Sequence, residues 1–71
     1  MATPVEAPMV GKVLQVLVQV GDQVAEDDPI VVMEAMKMEI NVVAPTDGRI
    51  AEVHVAAGES VDTDQVLATI E

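Results

Sequence analysis

Seventy-one residues with no cysteine, no aromatic residue, one histidine and a formal net charge of −10 describe one small domain with a purely aliphatic core. Disulfides and a Cys/His metal site, the usual supports of so short a chain, are excluded, and no metal is expected. The negative charge and the missing aromatic platforms argue against nucleic acid and anionic membrane as partners.

Valine and period-two alternation run along the whole chain, which reads as short β-strands. In chain order the expected strands are 4–9, 11–19, 23–25, 30–34, 39–43, 48–56, 60–62 and 66–70. They are separated by turn signals at Pro8 to Gly11, Gly21-Asp22, Asp27-Asp28-Pro29, Thr46-Asp47-Gly48, Gly58-Glu59 and Thr63-Asp64. Pro8 and Pro45, which lack an N–H, are expected at strand starts or edges. The segment from Val31 to Val43 contains good helix formers between Glu34 and Met38. Its flanks, Val31-Val32 and Ile40-Asn41-Val42-Val43, favour strands, so strand–turn–strand is preferred. No apolar run approaches the roughly 20 residues of a membrane span. Met1-Ala2-Thr3-Pro4 lacks the basic and apolar regions of a signal peptide.

A shift of 37 positions lays Val5–Glu34 over Val42–Glu71 without a gap. All four glycines fall into two pairs at this lag, Gly11/Gly48 and Gly21/Gly58. Matched glycines imply matched turns, because glycine supplies backbone angles that other residues resist. Ala7/Ala44, Pro8/Pro45, Val24/Val61, Asp27/Asp64 and Glu34/Glu71 are further identities. Asp27 and Asp64 are expected in equivalent tight turns, where Asp tolerates left-handed backbone. Two copies make an internal duplication rather than a solenoid. The expected fold is all-β: a flattened eight-strand barrel or sandwich with pseudo-twofold symmetry and two four-stranded antiparallel sheets. It is a single domain over 1–71, with repeats 5–34 and 42–71 joined by a 35–41 hairpin. The same symmetry predicts that this hairpin and the chain ends lie at opposite ends of the domain.

Lys37 falls at that hairpin's tip, in Glu34-Ala35-Met36-Lys37-Met38-Glu39. An isolated lysine in a turn is ordinarily a solvated charge. Here two methionines flank it where turns are normally polar. Either a partner surface buries them, for which the adaptable thioether is suited, or they pack on the turn and hold Lys37 outward. Glu34 and Glu39 flank the tip as a solvated cross-strand pair or as recognition residues. Ala35 supplies a small side chain at the turn. His54 aligns with Leu17 in the other repeat and reads as structural. Glu26-Asp27-Asp28 lacks the spaced oxygen ligands of a calcium loop and reads as a turn.

The motif Glu34-Ala35-Met36-Lys37-Met38-Glu39 resembles the biotin-attachment motif of biotinyl domains, the biotin carboxyl carrier modules of the biotin/lipoyl attachment family. The resemblance covers essentially the whole chain. It includes Ala7-Pro8-Met9-Val10-Gly11, Val20-Gly21-Asp22-Gln23-Val24, Ala44-Pro45-Thr46-Asp47-Gly48 and Gly58-Glu59-Ser60-Val61. Lipoyl carriers share the fold but typically carry Asp-Lys-Ala at the tip, so Met36 and Met38 favour biotin. Many members have glycine where Asp27 and Asp64 stand. Some carriers insert a protruding thumb between early strands; the gapless repeat predicts none here.

The resemblance implies the barrel-sandwich hybrid fold and a covalent biotin on Lys37, attached by a biotin protein ligase. It further implies carboxyl transfer between a biotin carboxylase and a carboxyltransferase or decarboxylase, as domains or subunits. The chain itself would be a non-catalytic, monomeric carrier whose tether raises effective concentration. Met36 and Met38 are the expected recognition residues, with Ala35, Glu34 and Glu39 beside them. The acidic surface serves either to steer the domain toward basic partners or simply to keep it soluble. The competing readings are a lipoyl-type acyl carrier and an unmodified adaptor barrel. The expected location is cytoplasmic, or an organelle matrix for a domain of a larger precursor.

Overall fold

The structure, a computed structural model, describes residues 2–71. Met1, the first residue of the expected domain, lies outside them. The described residues form eight strands and no helix: β1 (Thr3–Glu6), β2 (Gly11–Val16), β3 (Gln23–Val24), β4 (Pro29–Ala35), β5 (Met38–Val43), β6 (Gly48–Val53), β7 (Ser60–Val61) and β8 (Val66–Ile70). All pairings are antiparallel. They build two four-stranded sheets, ordered β1-β8-β6-β3 and β5-β4-β2-β7.

The duplication becomes a structural twofold. Shifting each strand by one repeat carries β1, β2, β3 and β4 onto β5, β6, β7 and β8, and so carries one sheet onto the other. Each sheet therefore mixes strands of both repeats, and the two halves interlock. The hydrogen bonds repeat as well. Asp27 N–H donates to Ala44 O and Asp64 N–H to Ala7 O, both at 2.8 Å. The Asp22 carboxylate accepts from Gln19 N–H at 2.8 Å, and Glu59 accepts from Ala56 N–H at 3.1 Å. The core is built of twofold pairs, Val13/Ile50, Ile30/Leu67, Met33/Ile70 and Val24/Val61, all buried. Full burial of each such side chain contributes roughly 1.5–3 kcal/mol. Without aromatic residues, this aliphatic layer is the main support of the fold.

Several strands stop short of expectation. β1 ends at Glu6 rather than residue 9, β2 at Val16 rather than 19, and β6 at Val53 rather than 56. Pro8 and Pro45 are neither strand starts nor edge residues; they sit in bends that follow β1 and β5. The cause is the missing N–H. The last main-chain donors before each proline, Ala7 and Ala44, bond to Gln65 O and Asp28 O, after which the chain leaves the sheet. Leu17 and His54 each make one further bond, to Ile30 O and Leu67 O, before the strand alternation is lost. β4 is longer than expected, beginning at Pro29 and ending at Ala35. No thumb interrupts the early strands. Asp27 and Asp64 adopt left-handed backbone, with φ of 73° and 67°.

Candidate functional site

β4 and β5 form the longest pairing of the molecule. Its last rungs are Glu34 opposite Glu39 and Ala35 opposite Met38. Only Met36 and Lys37 remain to turn the chain, with φ of 52° and 64°. Two central residues at positive φ define the tight hairpin turn that matches the right-handed twist of its strands. That turn normally recruits Asn-Gly. Left-handed backbone costs an ordinary L-residue roughly 1–2 kcal/mol, and here methionine and lysine both bear that cost. The β4–β5 ladder below holds them there.

The tip projects its side chains. Met36 is 83 % exposed and Met38 62 % exposed. Exposure on this scale rules out the alternative in which the thioethers pack back onto the turn. Lys37 is exposed, and the single contact of salt-bridge length among the described residues lies elsewhere, between His54 and Glu52 at 3.9 Å. No described carboxylate therefore holds the Lys37 ammonium, and no cavity encloses it. Such a protruding, unpaired primary amine fits acylation by a visiting enzyme. His54 also sits 3.2 Å from the Thr69 hydroxyl, a surface contact far from the tip in sequence.

Ala35 is buried at the base of the hairpin, and the reason lies in a residue the sequence reading did not connect with the site. Gly11 on β2 passes beneath the hairpin so closely that an added Cβ would overlap the Glu34 carbonyl oxygen and come within 2.6 Å of the Met33 methyl. Its twofold mate Gly48 runs beneath Glu71 and Ile70 in the same way, with an added Cβ 2.6 Å from Glu71 O. The matched glycines at one lag were the available signal. Glu71 thus occupies the twofold image of Glu34.

Glu34 and Glu39 face each other across β4 and β5, with Lys12 on β2 opposite Glu34 on its other side. All three are exposed. Two carboxylates directly opposite repel by a few tenths of a kcal/mol or more. Lys12 beside Glu34 offsets part of this repulsion, and the rung just below the tip keeps a net negative charge.

A lysine at a strained, exposed hairpin tip, carried by a twofold pair of four-stranded sheets, defines a small all-β attachment domain. The sequence matches the family described as biotin-requiring enzyme over residues 3–70, and the chain belongs to that biotin/lipoyl family. It is 45 % identical to the biotin carboxyl carrier protein of Streptococcus mutans over 97 % of its own length, and spans 53 % of that protein. Among solved structures, the urea carboxylase of Kluyveromyces lactis superposes with a TM-score of 0.94 at 27 % identity, covering all of this chain and 6 % of that one. The lipoyl domain of the 2-oxoglutarate dehydrogenase complex of Azotobacter vinelandii superposes with a TM-score of 0.79 at 28 % identity, over 96 % of this chain and 94 % of that domain. The fold is thus common to biotin and lipoyl carriers, and the residues at the tip must discriminate between them.

Proposed function

We propose that the chain is one biotinyl module, spanning repeats 5–34 and 42–71 and the hairpin between them, and that Lys37 carries covalent biotin. The observation that carries this reading is the tip itself: an unpaired amine at positive φ, flanked by two exposed methionines, on a frame that otherwise obeys its twofold. Bound biotin supplies a ureido nitrogen able to carry a carboxyl group. The chain's own residues perform no bond chemistry. The β4–β5 ladder aims the lysine outward, Gly11 and Ala35 keep the base of the hairpin flat, and Met36 and Met38 offer apolar contact to visiting enzymes. A lysine ammonium is protonated at neutral pH, so the ligase that acylates Lys37 must first take its proton; the amide product then removes a positive charge from the tip.

The partners in this reading are a biotin protein ligase, a biotin carboxylase and a carboxyltransferase or decarboxylase. Support comes from the likeness to domains within carboxylases. The module acts as a monomer in the cytoplasm, or in an organelle matrix when part of a larger precursor; the net charge of −10 disfavours self-association. The lipoyl alternative draws on the shared fold, but Met36 and Met38 stand where lipoyl carriers place Asp and Ala.

The test is intact mass after incubation with biotin protein ligase, biotin and ATP. One biotinyl increment is expected, absent in Lys37→Arg. An increment only with lipoate ligase and lipoate would transfer the chain to the lipoyl class. No increment with either would leave an adaptor barrel.

A further inference from the structure

Methionine is the residue whose placement the twofold frame does not explain. Where a repeat holds a methionine, its twofold mate carries no sulfur: Met9 corresponds to Thr46, and buried Met33 to buried Ile70. Met36 and Met38 lie in the connecting hairpin, outside both repeats. A thioether is therefore nowhere a requirement of the architecture. The two in the hairpin are also the accessible ones. Among the described residues Met36 and Met38 are exposed, Met9 is half-buried and Met33 is buried.

Composition sharpens the contrast. Two-electron oxidants such as peroxides react at sulfur, at cysteine thiolates and methionine thioethers. The chain has no cysteine to compete for them, and no tryptophan or tyrosine. Peroxide reaching the described surface thus meets two freely accessible sulfurs, and they stand on either side of Lys37.

We propose that Met36 and Met38 form an oxidative modification site, and that their conversion to sulfoxide closes the tip to enzymes that act on Lys37. The effect on Lys37 rests on the biotin reading given above; the selectivity of oxidation does not. In the step, the thioether sulfur attacks one oxygen of a hydroperoxide. An S–O bond forms, the O–O bond breaks, and the remaining oxygen leaves as water, or as an alcohol from an organic peroxide. Sulfur gives up two electrons and the peroxide takes them. The product is a polar, chiral side chain where an apolar one stood. A surface that met the thioether by apolar contact must now desolvate the new oxygen, which weakens binding unless a donor meets it.

The fold is indifferent to this change. Met36 occupies the turn and Met38 the last rung, and neither belongs to the aliphatic core. Met33 does belong to it, with its methyl against Gly11. Its sulfur meets peroxide only when the domain opens. Burial therefore directs oxidation to the hairpin that bears the functional lysine.

The test exposes the folded 71-residue chain to hydrogen peroxide and follows intact mass, with peptide fragmentation to place each oxygen. Met1, outside the described residues, is mapped separately. Met36 and Met38 are expected to oxidise about tenfold or more faster than Met33, with the circular dichroism of the native chain retained. Ligase-catalysed biotinylation of the chain oxidised at both positions is expected to fall about tenfold or more in kcat/KM. Methionine sulfoxide reductases for both epimers should restore it. In M36L/M38L, whatever its own basal rate, peroxide should leave that rate unchanged, whereas M9L should respond to peroxide as wild type does. Oxidation of Met33 as fast as of the tip overturns the selectivity. Labelling unchanged by two tip sulfoxides in a folded chain, or still lost to peroxide in M36L/M38L, overturns the effect on Lys37. An untreated chain that accepts no biotin refutes the assignment of Lys37 and that effect with it, a result distinct from a chain that labels equally well before and after oxidation.

Discussion

Met36 and Lys37 place two ordinary side chains in backbone that favours Asn and Gly, and the consequence is measurable. At φ of 52° and 64°, the two residues together cost about 2–4 kcal/mol relative to relaxed backbone. Replacing them as M36N/K37G installs the pair that this turn type prefers. Met36 is 83 % exposed and Lys37 makes no ion pair among the described residues, so little packing is lost. Glycine returns roughly 0.5–1 kcal/mol of entropy to the unfolded chain, which leaves a net gain of about 1–3.5 kcal/mol. For a domain of this size that corresponds to a melting temperature higher by ~4–8 °C per kcal/mol. The assay is urea and thermal unfolding followed by far-UV circular dichroism, since the chain has no aromatic residue to report by fluorescence. The double variant should be more stable and incapable of biotinylation. Unchanged or lower stability would refute the argument: the tip would then be unstrained, or its side chains would be holding the hairpin together.

The two close glycine crossings should both lose stability when filled, Gly48 the more because its φ is 155°, and should differ in function. Gly11→Ala and Gly48→Ala each force a Cβ into backbone and core atoms and should lose about 1–3 kcal/mol; only Gly11→Ala should slow labelling at Lys37 once the folded fraction is equalised. Asp27→Val and Asp64→Val place a β-branched residue at φ near 70°, and each should lose about 1–2 kcal/mol by urea denaturation, the two values agreeing because the turns are equivalent. Met36→Ala and Met38→Ala remove exposed side chains and should change stability by less than ~0.5 kcal/mol; unfolding of either by circular dichroism would contradict their placement at the tip.

The fold was legible because the duplication was. Turns that recur at a fixed lag punctuate a valine-rich chain well enough to count its strands, and Asp27 and Asp64 could be assigned left-handed backbone simply because both repeats place Asp there. The strand ends were less legible. Alternation in Leu17-Val18-Gln19 looks like continued β2, yet once Leu17 N–H bonds Ile30 O the chain swings toward the other sheet, where Gly21 N–H meets Ile50 O. Nothing local announces that change of partner. The sorting of strands into sheets was equally hidden, because interlocked halves and separate halves have the same periodicity. At the site, Lys37 and its methionines could be read from the motif, but the turn type could not, since Met-Lys lacks the Asn-Gly signature. Gly11 was visible as a repeated glycine; only tertiary structure shows that it underlies the lysine hairpin.

A duplicated fold separates architecture from function, provided burial and bonding are consulted alongside sequence. Features present in both halves, such as the crossings at Gly11 and Gly48 or the carboxylates of Asp22 and Glu59 that cap their own turns, are what the frame needs. Features present in one half are candidates for work, but not all qualify. Asp47 accepts from Glu26 N–H at 2.9 Å, while its twofold counterpart is the exposed Val10; this one-sided carboxylate has a structural bond to explain it. Lys37, Met36 and Met38 have no such bond. Among the described residues the tight hairpin occurs once: β4 and β5 meet through a two-residue turn, whereas their images β8 and β1 pair without one.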